Sequence, residues 1–367
     1  MTAAVIAPDV GAARRVPRID LHSHMLEPTA LEAGVSHSVL TGFGARALPP
    51  AAPGSAQEMA ERAGHDPAEH IRMLDRLGLD AEVVSSMTVM QGSGWAAPEL
   101  DDQLNRRIND EIARWVSEHP SRMIGSFTLP LQSEVFSRNE LQRCCDELSM
   151  NVVQLPAAVS GTYLSASAFR WLWEEIDGRG LTAFVHPDGT RDPWFQAYSM
   201  WNSVGQPIEE AKFIASLIYE GILDQLPGLR IVVAHGGGYL PHYFGRLDRN
   251  VKAHPHSAVN ISKRPSEYLT DLYYDTCLYE PAMLEALVAR VGPDQIVMGS
   301  DFPVGDTDPV GFVQRCPTLT PDDVDRILGG TLASLLGVTA ASAGLGISRR
   351  PPESTTATTS TRDHAST

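Results

Sequence analysis

The sequence predicts an α/β fold: a (β/α)8 TIM barrel with an insertion after its first strand and a disordered C-terminal tail. Short apolar runs of strand length alternate with longer stretches at helical spacing, eight times between residues 16 and 338. Such alternation with short links implies parallel strands and right-handed crossovers. Eight units also suit the 367-residue length, since these barrels occupy roughly 200 to 400 residues. The other arrangement open to this pattern is a doubly wound sheet, but no G-x-G-x-x-G follows the first strand.

Residues 1–15 are small and irregular and read as a flexible arm. The first strand is Val16–Leu21, which runs into His22-Ser23-His24. Residues 25–64, rich in Ala, Pro and Gly, read as a loop or small lid over that strand end, with turn-prone Gly42-Phe43-Gly44 and Leu48-Pro49-Pro50. Asp66-Pro67 is a helix start, an N-cap followed by proline, with Ile71, Leu74 and Leu77 at helical spacing and Gly78 as the stop. Ala81–Ser85 is a short strand, 99–119 a helix carrying Leu104, Ile108, Ile112 and Trp115, and Met123–Leu129 a strand. Helices at 141–148, 169–177, 208–226, 240–251 and 282–291 then alternate with strands at Asn151–Leu155, Leu181–His186, Leu229–His235, Leu272–Asp275 and Gln295–Met298. Short helices follow to about Leu336, and these units make one domain over 16–338. Residues 339–367, rich in Ser, Thr, Ala and Pro, have little to bury and read as a disordered tail.

The formal net charge of −16 argues against a nucleic acid or an anionic membrane surface as partner. No apolar run approaches the length of a membrane span. The arginines of the first 15 residues stand at the wrong end for a signal peptide. Four cysteines, Cys144, Cys145, Cys277 and Cys316, form no C-x-x-C and read as buried, reduced thiols. The expected compartment is the cytoplasm.

Barrel active sites lie where strands end and the following loops begin, so the residues that close predicted strands carry the functional argument. In a strand, residues i and i+2 face the same way about 7 Å apart, so His22 and His24 can grip one divalent ion between them. His186 closes the fifth strand, His235 the sixth, and Asp301 follows the eighth after Gly299-Ser300. One such residue would be an ordinary polar group or helix cap; five on the rims of four strands point to a shared metal site. A second H-x-H, His254-Pro255-His256, reads instead as a polar loop after a helix.

Beside those residues stand longer motifs: IDLHSH at 19–24, HDPAEHIRMLDRLGLD at 65–80, LPLQ at 129–132, FVHPDG at 184–189, IASLIYEGILDQLPGLRIVVAHGGGYLPHYFGRLDR at 214–249 and MGSDFP at 298–303. Together they resemble the amidohydrolase superfamily, and within it the branch of 2-amino-3-carboxymuconate-6-semialdehyde decarboxylase. The resemblance runs from about Arg18 to Gly337. It implies that His22, His24, His186 and Asp301 are metal ligands and that His235 is the acid/base histidine. It also implies one divalent ion, zinc first and manganese second, because no lysine stands at the end of strand four (Gln154-Leu155-Pro156) to build a two-metal site. Arg246 matches an arginine that binds a substrate carboxylate across a homodimer interface. Trp201 falls near an aromatic that lines the pocket. The family's second carboxylate-binding arginine has Arg46 or Arg62 as its candidates here. The family's second proline after the aspartate is missing from MGSDFPVG, so the particular substrate is left open.

The reading is therefore a metal-dependent, non-oxidative decarboxylase of a small unsaturated or aromatic carboxylic acid. It would work either through a metal-activated water that adds to the carbon bearing the carboxylate, or through direct chelation of the substrate followed by protonation at that carbon, with His235 or Asp301 moving protons. The alternative is hydrolysis of a C–N, ester or C–C bond on the same site. A non-catalytic binding barrel is third, because a binding module has no need of an activated water.

Overall fold

The structure, a computed structural model, describes residues 16–37, 51–190, 192–340 and 346–349. Eight parallel strands form one sheet: β1 (Ile19–Met25), β2 (Ala81–Ser86), β3 (Met123–Phe127), β4 (Val152–Leu155), β5 (Thr182–Val185), β6 (Arg230–Val233), β7 (Tyr273–Asp275) and β8 (Ile296–Val297), paired in that order. The sheet closes because the segment after β8 returns to β1. Leu21 donates to the Met298 carbonyl at 3.0 Å, Asp301 to that of His22 at 2.7 Å, and His24 to that of Phe302 at 2.8 Å.

Strand side chains alternate between two faces, and here the faces belong to two separate cores. Val83, Val152, Phe184, Val232 and Val297 fill the barrel interior with Ile19 and Leu21. Their neighbours Val84, Val153, Val185, Val233 and Ile296 pack outward with helix residues such as Ile108, Trp115, Leu172 and Phe213. Both faces are buried, so these strands read as continuous apolar runs. Leu332, Leu336, Val338 and Ile347 join the interior cluster. They close the barrel at the N-terminal ends of the strands, where Arg230 also donates to the Leu335 carbonyl at 3.1 Å. The opposite end carries the loops.

The helix Pro67–Leu77 starts on Asp66, whose side chain accepts from the Ala68 and Glu69 amides, and ends on left-handed Gly78. Several boundaries differ from the expectation. The first strand is Ile19–Met25 rather than Val16–Leu21, because a bulge between Asp20 and Ser23 lets β1 keep pairing with β2 through Met25. The helix expected from Leu141 begins at Glu134, capped by Ser133. The segment 208–226 breaks at Gly221 (φ 69°), giving Gln206–Tyr219 and Ile222–Gln225. Likewise 240–251 divides into Leu240–Tyr243 and Gly245–Ala253.

The insertion is more regular than a loop. It contributes helices Pro28–His37 and Ala56–His65, the second capped by Ser55. Gly42–Gly44 and Leu48–Pro50 lie outside the described residues, as do the arm 1–15 and residues 350–367. The expectation of disorder from residue 339 is corrected in part. Val338–Ala340 and Ile347–Arg349 form an antiparallel pair, and Ile347, at 5% exposure, is buried under the barrel. Its amide donates to the Ser121 carbonyl at 2.7 Å. Among the described residues no helix is long and apolar enough to cross a membrane.

Candidate metal centre

The bulge in β1 turns both His22 and His24 into the open end of the barrel. Asp20, on the outer face, anchors this geometry: it accepts from the His22 amide at 2.9 Å and from the Ser300 amide at 3.1 Å, tying β1 to the segment after β8. Gly299 is required there, since a Cβ on it would lie 2.9 Å from the His22 Cβ and 3.0 Å from the Asp275 Cβ.

Four buried donors converge. The Nε2 atoms of His22 and His24 are 3.2 Å apart, and they lie 3.2 and 3.1 Å from Asp301 Oδ1. With His186, the ligating atoms all fall within 4.8 Å of one another. The second nitrogen of each ring points away to its own acceptor. His22 Nδ1 meets Asp275 Oδ2 at 2.7 Å, and His24 Nδ1 meets the Ser86 carbonyl at 3.1 Å. His186 Nδ1 meets the Pro187 carbonyl at 2.9 Å and Thr88 Oγ1 at 3.0 Å. A carbonyl can only accept, so the Nδ1 atoms of His24 and His186 carry the protons and their Nε2 lone pairs face the centre. Among the described residues, His186 Nε2 is buried with no hydrogen-bond partner.

Three imidazole nitrogens and a carboxylate oxygen, oriented from behind, are a donor set suited to a divalent cation. The residues fit the ion. Electrostatics agree: burial and the neighbouring histidines hold His186 well below its ordinary value, as a neutral ligand must be. Burial would pull His22 down, yet Asp301 and Asp275 outweigh it and push it up to about 9. Burial would raise Asp301, but the surrounding histidines keep it well below the carboxylate range.

His235 stands at the edge of this cluster, its ring centroid 5.0 Å from that of His186 and its Nε2 3.9 Å from Asp301 Oδ2. Its Nδ1 bonds to Glu210 Oε1 at 2.5 Å. Glu210 is fully buried on the helix Gln206–Tyr219, and among the described residues its second oxygen has no partner. Gly238 (φ 64°) lets the turn after β6 lie against that helix, for a Cβ would meet the Pro207 carbonyl at 2.3 Å and Glu210 Oε2 at 2.8 Å. Burial pushes Glu210 up to about 7. Burial alone would lower His235, but Glu210 and Asp301 outweigh it and hold the ring well above its ordinary value.

The structure thus brings His22, His24, His186, His235 and Asp301 to one point. It does not bring every candidate there. Arg246 is exposed on Gly245–Ala253, and among the described residues no hydrogen bond or ion pair joins it to the cluster. Arg62 is exposed in the last turn of Ala56–His65, and Arg46 lies outside the described residues. Trp201 is half-buried and packs over Gly189, three residues past His186. Gln154, buried at the end of β4, spends its amide on the Ser86 backbone, donating to the carbonyl at 2.7 Å. His254 and His256 are exposed, around the short turn Pro255–Ala258.

Sequence reasoning missed Asp275, Thr88 and Glu210. Asp275 was legible, since it closes the predicted seventh strand as His186 closes the fifth. Glu210 was not: it is one acid among several in an amphipathic helix, and only the approach of the His-Gly-Gly-Gly turn singles it out.

A family model described as amidohydrolase matches residues 19–338. The 2-amino-3-carboxymuconate-6-semialdehyde decarboxylase of Dictyostelium discoideum is 32% identical over 278 residues, covering 74% of this chain and 77% of that protein. Among solved structures, 5-carboxyvanillate decarboxylase from Sphingomonas paucimobilis aligns with a TM-score of 0.77 at 22% identity, covering 87% of this chain and 98% of that one. Dihydroxybenzoic acid decarboxylase from Polaromonas sp. JS666, which holds manganese and the inhibitor 2-nitroresorcinol, aligns with a TM-score of 0.74 at 20% identity, covering 87% and 96%.

Proposed function

The chain belongs to the amidohydrolase family, and on that premise we propose that it catalyses the non-oxidative decarboxylation of a small unsaturated or aromatic carboxylic acid. The observation that carries this reading is the convergence of four buried donors on one point, with a carboxylate-backed histidine beside them. In this reading His22, His24, His186 and Asp301 hold one divalent ion; zinc is our first choice and manganese, present in a structural relative, the second. When bound, the ion supplies a Lewis acid that polarises the substrate's oxygen atoms.

His235 then handles the proton. Its Nδ1–H is fixed on Glu210, so Nε2 faces the space beside Asp301 and delivers a proton there. That proton goes to the carbon bearing the carboxylate; the C–C bond breaks and CO2 leaves.

For the substrate's carboxylate we propose Arg246, acting in the site of a second copy. Its exposure outside its own cluster suits that role. Exposed Trp194, Tyr198, Tyr239, Tyr243 and Val304 lie on the segments that follow β5, β6 and β8 and offer apolar surface that a homodimer would cover. Trp201, Arg62 and Arg46 are the further substrate contacts of this reading. Four free thiols support a reducing, cytoplasmic setting.

The test is metal analysis of the purified chain, then headspace CO2 and hydrolysis assays over carboxylated phenols, muconates and amides. We expect about one ion per chain and CO2 release abolished by chelation. Amide or ester hydrolysis without CO2 would select the hydrolase instead. For the dimer, Arg246→Ala mixed with His235→Asn should regain activity, because one of the mixed sites receives both intact residues; a monomeric active enzyme would overturn that part.

A further inference from the structure

Among the described residues, seven that are not glycine have their backbone in the left-handed region, a conformation a bulky side chain adopts only where its surroundings impose it. Three of the seven meet at the metal centre: His235 (φ 49°) after β6, Tyr279 (φ 57°) after β7 and Asp301 (φ 58°) after β8. His235 and Asp301 already have roles; Tyr279 has none.

Its backbone is gripped from both sides. The Leu278 amide donates to the Thr276 carbonyl at 2.7 Å. The Leu278 side chain fills the space beside Gly236, where a Cβ would be only 2.6 Å away. On the other side Glu280 caps the helix Pro281–Val291. The turn therefore delivers the tyrosine hydroxyl to 3.4 Å from Asp301 Oδ2. Core packing does not explain the residue, which is 57% exposed.

The contact divides the work of the Asp301 carboxylate. Oδ1 faces the Nε2 atoms of His22 and His24, while Oδ2 faces the Tyr279 hydroxyl and, at 3.9 Å, His235 Nε2. We propose that Tyr279 is a positioning residue of the metal centre: its hydroxyl holds the outer oxygen of Asp301 so that only the inner oxygen is offered to the cation. This rests on the reading of His22, His24, His186 and Asp301 as the metal site. A carboxylate free to turn both oxygens inward would fill the position that the substrate needs.

The full chain loaded with Co2+ tests it, because visible absorption of that ion reports coordination geometry. Tyr279→Phe keeps the ring and removes the hydroxyl. We expect weaker, shifted cobalt bands as Asp301 adds its second oxygen. The melting temperature of the metal-free protein should stay within a degree or so of wild type. For any acid that releases CO2, KM should rise about tenfold with kcat within about twofold, the pattern of a group that competes with the substrate for its position. Cobalt bands superimposable on wild type would overturn the proposal while leaving the metal site intact. A wild-type chain that takes up no Co2+ would sink the metal reading and this proposal with it.

Discussion

Replacing Glu210 separates the function of the buried carboxylate from its effect on stability. In Glu210→Gln the amide oxygen can still accept from His235 Nδ1, so geometry is kept and only the charge is lost. A hydrogen bond to a charged group is worth about 1.5–3 kcal/mol against about 0.5–1.5 for a neutral one. The difference, about 1–2 kcal/mol, converts to roughly 5- to 30-fold in the step in which His235 carries its extra proton. Glu210→Ala removes the acceptor altogether and leaves Nδ1–H buried without a partner. About 2–3 kcal/mol is then at stake, or roughly 30- to 150-fold. In Glu210→Gln stability should not follow activity down. Glu210 is a buried acid with one oxygen unsatisfied, pushed up to about 7 by that burial, so the neutral amide removes a desolvation penalty and the melting temperature should hold or rise. The assay is kcat for CO2 release, measured alongside metal content and thermal melting. A Glu210→Gln enzyme with wild-type kcat would refute the argument. So would a loss of rate that merely tracks a loss of metal.

Other substitutions divide the centre into its parts. His235→Asn should keep its metal and lose roughly 10²- to 10⁴-fold in rate, whereas His186→Ala should lose the metal itself; the reverse pattern in metal analysis would mean that ligand and base have been exchanged. Asp275→Asn weakens the partner of His22 Nδ1, and competition with a chelator should reveal a metal affinity lower by roughly 10- to 100-fold; an unchanged affinity would show that His22 is held by packing alone. Ile347→Ala should lower stability by about 2 kcal/mol, the small end for a buried aliphatic residue because the site is peripheral. Thermal melting that does not move would return Ile347 to the disordered tail expected from composition.

Much of this protein was legible in its sequence because the relevant signals are local. Periodicity switches between strand and helix, Asp66-Pro67 starts a helix and Gly78 ends it, and these fix elements without long-range information. A barrel then sends every strand's C-terminal end to one face, so residues that close predicted strands gather there whatever the details of packing. That reasoning reached His22, His24, His186, His235 and Asp301. The tail failed the same kind of reasoning. Ile347 stands alone among small and polar residues, and the floor of the barrel that buries it is built from Leu332, Leu336 and Val338, close in space but with no periodic relation to it. Glu210 and Tyr279 depended on tertiary structure more strictly still. What singles out Glu210 is a glycine turn laid against its helix, and what singles out Tyr279 is a left-handed backbone beside Asp301. Sequence determined which strands end in chemistry, because strand ends are a local property. Only the closed fold decided what stands behind each of these side chains, because a hydrogen bond between residues far apart in the chain exists only once the barrel has brought its strands together.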